Sequence, residues 1–214
     1  MLTLYSYWRS SATYRVRIAL NLKGLAYRQV PVHLLKDGGE QHGEAFRALN
    51  PQQLVPLLRD GERSIAQSLA ILEYLEETHP QPALLPSEPV ARARIRALAL
   101  HIACDLHPLN NLRVLQYLEH QLGQDEAVRL MWLRHWVATG LEAVEQGLAE
   151  LPDGLSLGAK PGYLEACLVP QVYNARRFAC ELHAYPRILA LVTACEPLDA
   201  FSQAVPEKQP DAPV

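Results

Sequence analysis

The first 78 residues alternate short apolar runs with segments whose apolar residues recur at helical spacing. Short apolar runs bounded by turn residues predict strands, whereas apolar residues three and four apart predict amphipathic helices. The predicted elements are a strand at Leu2 to Leu4, a helix from about Ser11 to Gly24, a strand at 26–34, a short helix at 41–49, strands at 54–58 and 64–67, and a helix from Ser68 to just before Pro80. This alternation is typical of an α/β domain, which we assign to residues 1–80.

Strand signals nearly vanish in the rest of the chain. The segment 81–89 holds three prolines and no apolar periodicity, which is typical of a linker. Helical periodicity then recurs in the segments 90–105, 109–122, 125–151, 163–183 and 186–196. The pattern predicts an all-α second domain over residues 90–214. We expect a loosely ordered tail from about residue 203, because three prolines fall within the last twelve residues.

Composition excludes several classes of partner. The chain has 214 residues, 49% of them hydrophobic, and a formal net charge of -3 at pH 7, so it lacks the basic field that would hold a nucleic acid. No apolar run approaches the roughly 18 residues of a membrane span, and the first residues lack the features of a signal peptide. We therefore expect no nucleic-acid partner, no membrane partner and a cytoplasmic location.

The cysteines do not suggest a metal site. All four lie in the second half of the chain, within apolar helical segments and without a C-x-x-C pair, so we expect them to be reduced core residues. Cys104 and His107 have a ligand-like spacing, but no nearby residues complete a tetrahedral set. A packed cysteine and a pocket-facing histidine are the simpler interpretation, and we expect no metal.

The stretch YSYWRSSATYRVRIAL, residues 5–20, passes from predicted strand to predicted helix and places Ser10 and Ser11 at the joint. A helix N-terminus presents free backbone N–H groups and a favourable dipole to an anion. If that anion is a thiolate, a serine hydroxyl directed at the sulfur would lower the thiol pKa from its usual value of about 8.5. Serine is also a common helix N-cap, and the motif by itself favours that role.

Two further features fit a small peptide ligand. Val55 and Pro56 open a strand expected beside the first one, and a cis bond there would expose the valine backbone to a peptide lying alongside. A plain edge-strand proline is the alternative. Gln67 and Ser68 offer a side-chain amide and a second helix N-terminus, which suit an amino-acid carboxylate. Together with the two serines, these residues predict a pocket for a small thiol peptide.

The motifs resemble those of the zeta-class glutathione transferases. SSATYRVRIAL is similar to the class signature, and KDGGEQ, NPQQLVPLL, QSLAILEYLEE, HPLNNLRVL and CLVPQVYNARRF match the class in the same order, from about residue 2 to about residue 210. The resemblance implies a thioredoxin-like α/β domain followed by a helical domain, glutathione as cofactor, a maleyl keto acid as small-molecule substrate, and a homodimer. It implies isomerisation of maleylacetoacetate in tyrosine and phenylalanine catabolism, with maleylpyruvate as the alternative substrate.

The resemblance also assigns residues, each by its match to the class pattern. It implies three catalytic residues, Ser10, Ser11 and Arg9. Arg9 and Arg177 match substrate-side arginines, whereas Arg176 receives no role. The residues implied to bind glutathione are Ser10, Ser11, Gln41, Val55, Gln67, Ser68, His107 and Asn111.

The residue types suit a cis–trans isomerase. Addition of a thiolate conjugate to a ketone makes the double bond single and lets it rotate. The addition pushes charge onto the enolate oxygen, which calls for a donor or cation, and the planar fork of arginine matches the carboxylates of the substrate. A general glutathione transferase and a non-enzymatic interaction scaffold of the same fold remain alternatives.

Four positions depart from the pattern of the class or of the wider superfamily. Ala12 stands where relatives have cysteine, and Tyr14 where they have tryptophan. Because the sulfur comes from glutathione, we expect activity to survive the loss of the cysteine. Gly162 and Glu165 replace a Thr-x-x-Asp cap, and half of the capping box should remain because Glu165 can reach the Gly162 amide.

Overall fold

The computed structural model describes residues 1–151 and 160–213. The chain divides into two compact units, one made of Met1–Leu84 with Pro197–Val214 and the other of Leu85–Glu196. We call them the α/β unit and the helical unit.

The α/β unit has the element order expected from the sequence, βαβαββα, so this part of the fold class is confirmed. The sheet order is β2-β1-β3-β4, with β1 parallel to β2 and the other two pairs antiparallel. Two 3-10 turns, Lys36–Gly38 and Glu40–His42, precede α2, where the sequence predicted one short helix from residue 41. The elements are β1 (Leu2–Ser6), α1 (Ser11–Leu22), β2 (Tyr27–Pro31), α2 (Glu44–Leu49), β3 (Leu57–Asp60), β4 (Arg63–Ala66) and α3 (Ser68–Thr78).

Alternation along the strands builds a core on each face of the sheet. Leu4 and Leu58, paired across β1 and β3, are fully buried. Their neighbours in sequence face the other way, where Tyr7, Phe46 and Leu57 belong to a second cluster. The loop that follows β1 is therefore held by apolar packing on the side of α2.

Helix α1 is buried all round, since every residue from Thr13 to Leu20 is buried. It packs against α3 and also against α10 (Asp199–Ser202), which belongs to the end of the chain. This environment explains how α1 contains Arg15 and Arg17, which are only 1% and 0% exposed. A helix that faced solvent on one side would place such charges in water.

The end of the chain differs from the sequence expectation. We expected a loosely ordered tail attached to the helical domain, but the residues from Pro197 belong to the α/β unit. They form α10 and a 3-10 turn, Pro206–Lys208, and bury Phe201, Ala204 and Gln209. The prolines do prevent a long helix, whereas the burial comes from contacts with α1 that no local pattern reveals.

The helical unit contains the helices expected from the sequence, with shifted boundaries. They are α4 (Pro89–Leu100), α5 (His107–Leu109), α6 (Leu112–His120), α7 (Glu126–Ala149), α8 (Tyr163–Arg177) and α9 (Pro186–Cys195). A π-helical segment, His101–Leu106, follows α4 directly. Gly140 of α7 lies so close to this segment that a Cβ there would be 2.2 Å from Leu106 Cδ1. Only glycine permits this approach.

Helix α8 forms the centre of the helical unit, and its start confirms the expected half of a capping box. All residues from Tyr163 to Val172 are buried. Gly162 N–H donates to Glu165 Oε2 at 2.8 Å. Burial raises the pKa of Glu165, and the Gly162 hydrogen bond opposes that rise.

Three observations concern partners. No helix in the described part of the chain is long and apolar enough to span a membrane. Among residues 1–151 and 160–213, no group of three His, Cys, Asp or Glu side chains is arranged to hold a metal ion. The cysteines are unpaired thiols, and Cys104 is exposed, contrary to the expectation of a packed side chain.

Candidate active site

The turn between β1 and α1 places both predicted serines at the start of the helix. Ser10 N–H donates to the Tyr7 carbonyl at 3.0 Å, which closes a four-residue turn. Ser10 is the N-cap of α1, and its Oγ accepts a hydrogen bond from Thr13 N–H at 3.2 Å. Ser11 is the first helical residue and is half-buried. The capping role is therefore observed for Ser10, and its hydroxyl hydrogen is still available to a ligand.

The electrostatics at this helix start favour an anion. The first turn of α1 contains no acidic residue, so nothing there neutralises the positive end of the helix dipole. Arg9 lies in the turn itself, half-buried, with its guanidinium carbon 5.2 Å from the centroid of the Trp8 ring. A cation and a helix N-terminus therefore occur within three residues of each other.

Val55 presents free backbone groups beside the sheet. The Val55–Pro56 peptide bond is cis, and β3 begins only at Leu57. In the described part of the chain, neither the N–H nor the C=O of Val55 has a hydrogen-bond partner. Its side chain is buried in the cluster of Tyr7 and Phe46. The backbone of Val55 is thus held in place and able to pair with an extended peptide.

Helix α3 begins with the predicted pair Gln67 and Ser68. Gln67 has φ 70°, a left-handed conformation that costs energy in a non-glycine residue. Its amide donates to Gln52 Oε1 at 2.6 Å. Ser68 is buried, and its Oγ accepts a hydrogen bond from Arg15 Nη1 at 3.2 Å. Arg15 therefore brings a buried positive charge to the start of α3.

Gln41 is buried in the loop before α2. Its Nε2 lies 3.4 Å from the Leu34 carbonyl oxygen and 3.0 Å from His42 Nε2. Its Oε1 is buried and has no hydrogen-bond partner among the described residues. Leaving such an atom unpaired costs free energy, which indicates that a ligand or solvent group completes this position.

The helical unit contains the remaining predicted residues. His107 and Asn111 are one helical turn apart, with 3.4 Å between His107 Nε2 and Asn111 Nδ2. Asn111 also caps α6 by accepting from Arg113 N–H at 3.2 Å. Arg177 ends α8, is exposed, and has its guanidinium carbon 4.2 Å from the centroid of the Phe178 ring. Arg176, which had no role, forms an ion pair with Glu196.

Comparison with known proteins identifies the family. Residues 4–83 match the family described as the N-terminal domain of glutathione S-transferase. A probable maleylacetoacetate isomerase of Vibrio cholerae is 49% identical, covering 99% of this chain and 98% of the relative. A maleylpyruvate isomerase described as a bacterial zeta-class glutathione S-transferase, solved in its holo form, is 48% identical, with a TM-score of 0.94 over 99% of this chain and 100% of that chain. The chain belongs to the zeta-class glutathione transferases.

A third relative was solved with ligands bound. The solved maleylacetoacetate isomerase of Methylobacterium extorquens AM1, with malonate and glutathione bound, is 42% identical and has a TM-score of 0.92 over 99% of this chain and 100% of that chain. The zeta-class assignment confirms the predicted fold class, a thioredoxin-like domain followed by a helical domain. The relatives carry the names of both isomerases at nearly equal identity, so identity alone does not choose between the two substrates.

Sequence reasoning assigned no role to three residues near the candidate zeta-class site. They are Arg15 and Arg17 within α1 and Asp211 near the end of the chain. Two arginines in an otherwise apolar helix were a visible signal, because a buried guanidinium needs acceptors. Asp211 gave no signal, since it lies about 200 residues from its partner.

Proposed function

We propose that the protein catalyses the glutathione-dependent cis–trans isomerisation of maleylacetoacetate to fumarylacetoacetate, a step of tyrosine and phenylalanine breakdown. The observation that carries this proposal is the similarity, over 99% of the chain, to a protein named as a maleylacetoacetate isomerase. The geometry of the α/β unit supports it, because each feature expected of a glutathione site has a physical counterpart there.

The residues present fit glutathione. The free backbone groups of Val55 pair with the peptide backbone of the ligand. The starts of α1 and α3 receive its two kinds of anion, a thiolate at Ser10 and Ser11 and a carboxylate at Gln67 and Ser68. Gln41 supplies a buried amide whose oxygen lacks a partner. The class resemblance also implies roles in glutathione binding for His107 and Asn111.

Ser68 is prepared to donate to a carboxylate. Its oxygen already accepts from Arg15 Nη1, so its hydroxyl hydrogen is directed away from the guanidinium. The Arg15 charge strengthens the attraction for an anion at this buried position. Ser10 is arranged in the same way, with its oxygen accepting from Thr13 N–H.

When bound, glutathione supplies the thiolate that adds reversibly to the maleyl double bond, makes it single for rotation, and leaves again. Ser10 and Ser11 stabilise the thiolate by hydrogen bonding, together with the free N–H groups of α1. Arg9 stabilises the negative charge that develops on the ketone oxygen of the substrate. Arg177 binds a substrate carboxylate through its planar fork.

Maleylpyruvate is the second candidate substrate. It is favoured by the structural similarity to a maleylpyruvate isomerase, with a TM-score of 0.94. The two substrates share the maleyl group and the ketone and differ only beyond the ketone. The proposed residues act on the shared part, so either acid fits the same chemistry.

The experiment that tests the function compares isomerisation of maleylacetone and maleylpyruvate, each with and without glutathione, by ultraviolet absorbance. Turnover that requires glutathione is the expected result, and the ratio of the two rates assigns the substrate. Binding of glutathione without turnover would replace the isomerase with a transferase of other substrates. Absence of binding would leave an interaction scaffold.

We also propose that the protein is cytoplasmic and that it acts as a homodimer; the class resemblance implies the dimer. Light scattering coupled to size-exclusion chromatography measures the mass directly. A particle of twice the 23.9 kDa chain mass is expected, and a monomer across the working concentration range would contradict the dimer.

A further inference from the structure

The C-terminal segment, defined as residues 197–213, is hydrogen-bonded to Trp8 in the turn that follows β1. Asp211 Oδ2 accepts a hydrogen bond from the Trp8 backbone N–H at 2.8 Å. The Trp8 carbonyl accepts one from Arg17 Nη2 at 3.0 Å. Arg17 Nε donates to the Ala204 carbonyl at 3.0 Å. Both backbone polar groups of Trp8 are therefore held, one by the segment directly and the other through Arg17.

Trp8 lies at the centre of the turn that leads to the proposed thiolate site. The Ser10 N–H to Tyr7 carbonyl bond closes this turn around Trp8 and Arg9. Type I and type II turns differ by rotation of the central peptide group, whose oxygen here is the Trp8 carbonyl. Arg9 is not among the positive-φ residues of the described chain, so the turn is not type II. The bond from Arg17 opposes rotation of this peptide.

The groups that hold the turn are charged, and one of them is fully buried. Arg17 is 0% exposed, and its guanidinium carbon lies 5.3 Å from the centroid of the Tyr14 ring. Hydrogen bonds from a charged donor are stronger than those between neutral groups, and they gain further in a dry environment. The planar fork of Arg17 reaches two carbonyl oxygens at once, which a lysine ammonium does with less geometric precision.

The C-terminal segment is itself anchored to α1 and to β2. Asn21 Nδ2 donates to the Ala200 carbonyl at 3.0 Å, and Gln29 Nε2 donates to Gln209 Oε1 at 2.9 Å. Phe201 is 1% exposed. Asp211 therefore extends from a fixed support, and the position of its carboxylate is set by α1 and β2.

We propose that the C-terminal segment positions the turn that binds the thiolate, with Asp211 and Arg17 as positioning residues that act through Trp8. The inference rests on the proposed glutathione site at Ser10. Its physical content is that Arg9 and Ser10 stay in their observed arrangement because Asp211 holds the N–H of Trp8 and Arg17 holds its carbonyl, so the peptide groups before and after Trp8 each have one fixed contact.

The test compares Asp211→Ala with two matched variants of the full chain. Asp211→Asn keeps an oxygen that accepts from the Trp8 N–H. Asp199→Ala removes the same charge from an exposed position of the same segment. The measurements are the pKa of glutathione bound to the enzyme, from thiolate absorbance; kcat, with KM for maleylacetone and for glutathione; amide hydrogen exchange of the peptide covering residues 7–14; and the melting temperature.

The expected result is a loss of thiolate stabilisation and of activity that arises from a change in the turn alone. Asp211→Ala raises the pKa of the bound thiol, speeds amide exchange at residues 8–11, and lowers kcat about tenfold or more, because a charge-assisted hydrogen bond is lost. KM for glutathione changes less, since the Val55 and Ser68 contacts remain. Asp211→Asn retains most of the activity, and Asp199→Ala behaves as the wild type.

A second variant covers the case in which Asp211→Ala does not fold. Arg17→Lys keeps the charge in α1 but loses the fork that joins the two carbonyls, so it should also raise the thiol pKa and speed exchange at residues 8–11. If both variants, assayed well below their melting temperatures, keep the wild-type thiol pKa, kcat and exchange rates, the proposal is wrong. An equal loss of activity in Asp199→Ala would also overturn the proposal, because removal of any negative charge from the segment would then have the same effect.

These readouts separate the inference from the proposed function. If the wild type binds glutathione but isomerises neither acid, the proposed isomerase function is wrong. The pKa of the bound thiol in the variants still tests whether the segment positions the turn. If the wild type does not bind glutathione, amide exchange decides: faster exchange in Asp211→Ala supports the role of the segment in holding the turn, and unchanged exchange refutes it.

Discussion

At the scale of single residues, two serines of the proposed glutathione site share one arrangement. Ser10 Oγ accepts from Thr13 N–H and Ser68 Oγ accepts from Arg15 Nη1, each at 3.2 Å. An oxygen that accepts a protein hydrogen bond keeps its own hydrogen for another acceptor. Both hydroxyls are therefore oriented before the ligand binds, which lowers the entropy cost of binding.

Ser10 should affect both stability and the thiolate, and the two effects are separable. Ser10→Ala removes the N-cap and should lower the free energy of unfolding by about 1 kcal/mol. Ser10→Gly should cost only a few tenths of that unit, because glycine is an acceptable cap. Both variants should raise the pKa of bound glutathione, and Ser11→Ala should raise it less. A wild-type thiol pKa in Ser10→Gly would leave Ser10 as a cap alone.

Arg15 should strengthen glutathione binding through Ser68. Arg15→Met and Ser68→Ala are each expected to raise the glutathione Kd about tenfold, because a hydrogen bond to a charged group is lost or misdirected. The double variant should be little worse than either single one, since both changes act on one interaction. Calorimetry measures the three Kd values, with Arg28→Met as an exposed control. Additive losses would show that Arg15 acts independently of Ser68.

At the scale of elements, the sequence pattern predicted the features that depend on residues close together in the chain. The starts of α1 at Ser11 and of α3 at Ser68 were predicted and are observed. A serine cap is found only for α1, at Ser10, whereas the N-cap of α3 is Gln67 and makes no side-chain capping bond. The helix predicted over 90–105 is α4 followed by a π-helical segment. The π-helical geometry was not predicted, and neither was the close packing of this segment against α7 at Gly140, which depends on residues remote in the chain.

Helix α8 should show an unusual dependence of stability on pH. Burial raises the pKa of Glu165 above its ordinary value of 4.5, so between the unfolded and folded pKa values the native state binds more protons than the unfolded state. This contribution to stability is therefore present at low pH and is lost as pH rises from about 4.5. Glu165→Gln, which still accepts from Gly162 N–H, should gain stability relative to the wild type as pH increases.

Denaturant unfolding at pH 5 and pH 8 measures that difference. Glu165→Ala serves as the matched variant, because it removes the acceptor and should be less stable than Glu165→Gln at both pH values. A difference between the wild type and Glu165→Gln that is the same at both pH values would show that Glu165 does not titrate with a raised pKa.

At the scale of the whole molecule, the site joins residues that are remote in the chain. Ser10, Val55 and Ser68 were identified because each lies in a short local motif. The bonds from Trp8 to Asp211 and from Arg17 to Ala204 span about 200 residues. Hydrogen bonds between residues so far apart in the chain produce no recognisable pattern in a single sequence. The role of the C-terminal segment was therefore inferred only from the structure.

The distribution of cysteines across the two units leads to a chemical prediction. All four cysteines lie in the helical unit, and the α/β unit has none because Ala12 replaces the class cysteine. Burial raises the pKa of the Cys195 thiol to about 12 and also raises that of Cys180, so both stay protonated at neutral pH. Cys104 is the exposed thiol.

Treatment with iodoacetamide should therefore leave the activity unchanged once the reagent is removed and fresh glutathione is added. Ala12→Cys is the matched variant: it restores a thiol in the first turn of α1, where the helix dipole lowers its pKa, and alkylation there should abolish turnover. If the wild type is inactivated, Cys104→Ser shows whether its exposed thiol is responsible. Inactivation that persists in that variant would mean that Cys167, Cys180 or Cys195 reacts, and the raised pKa values of Cys180 and Cys195 argue against that outcome.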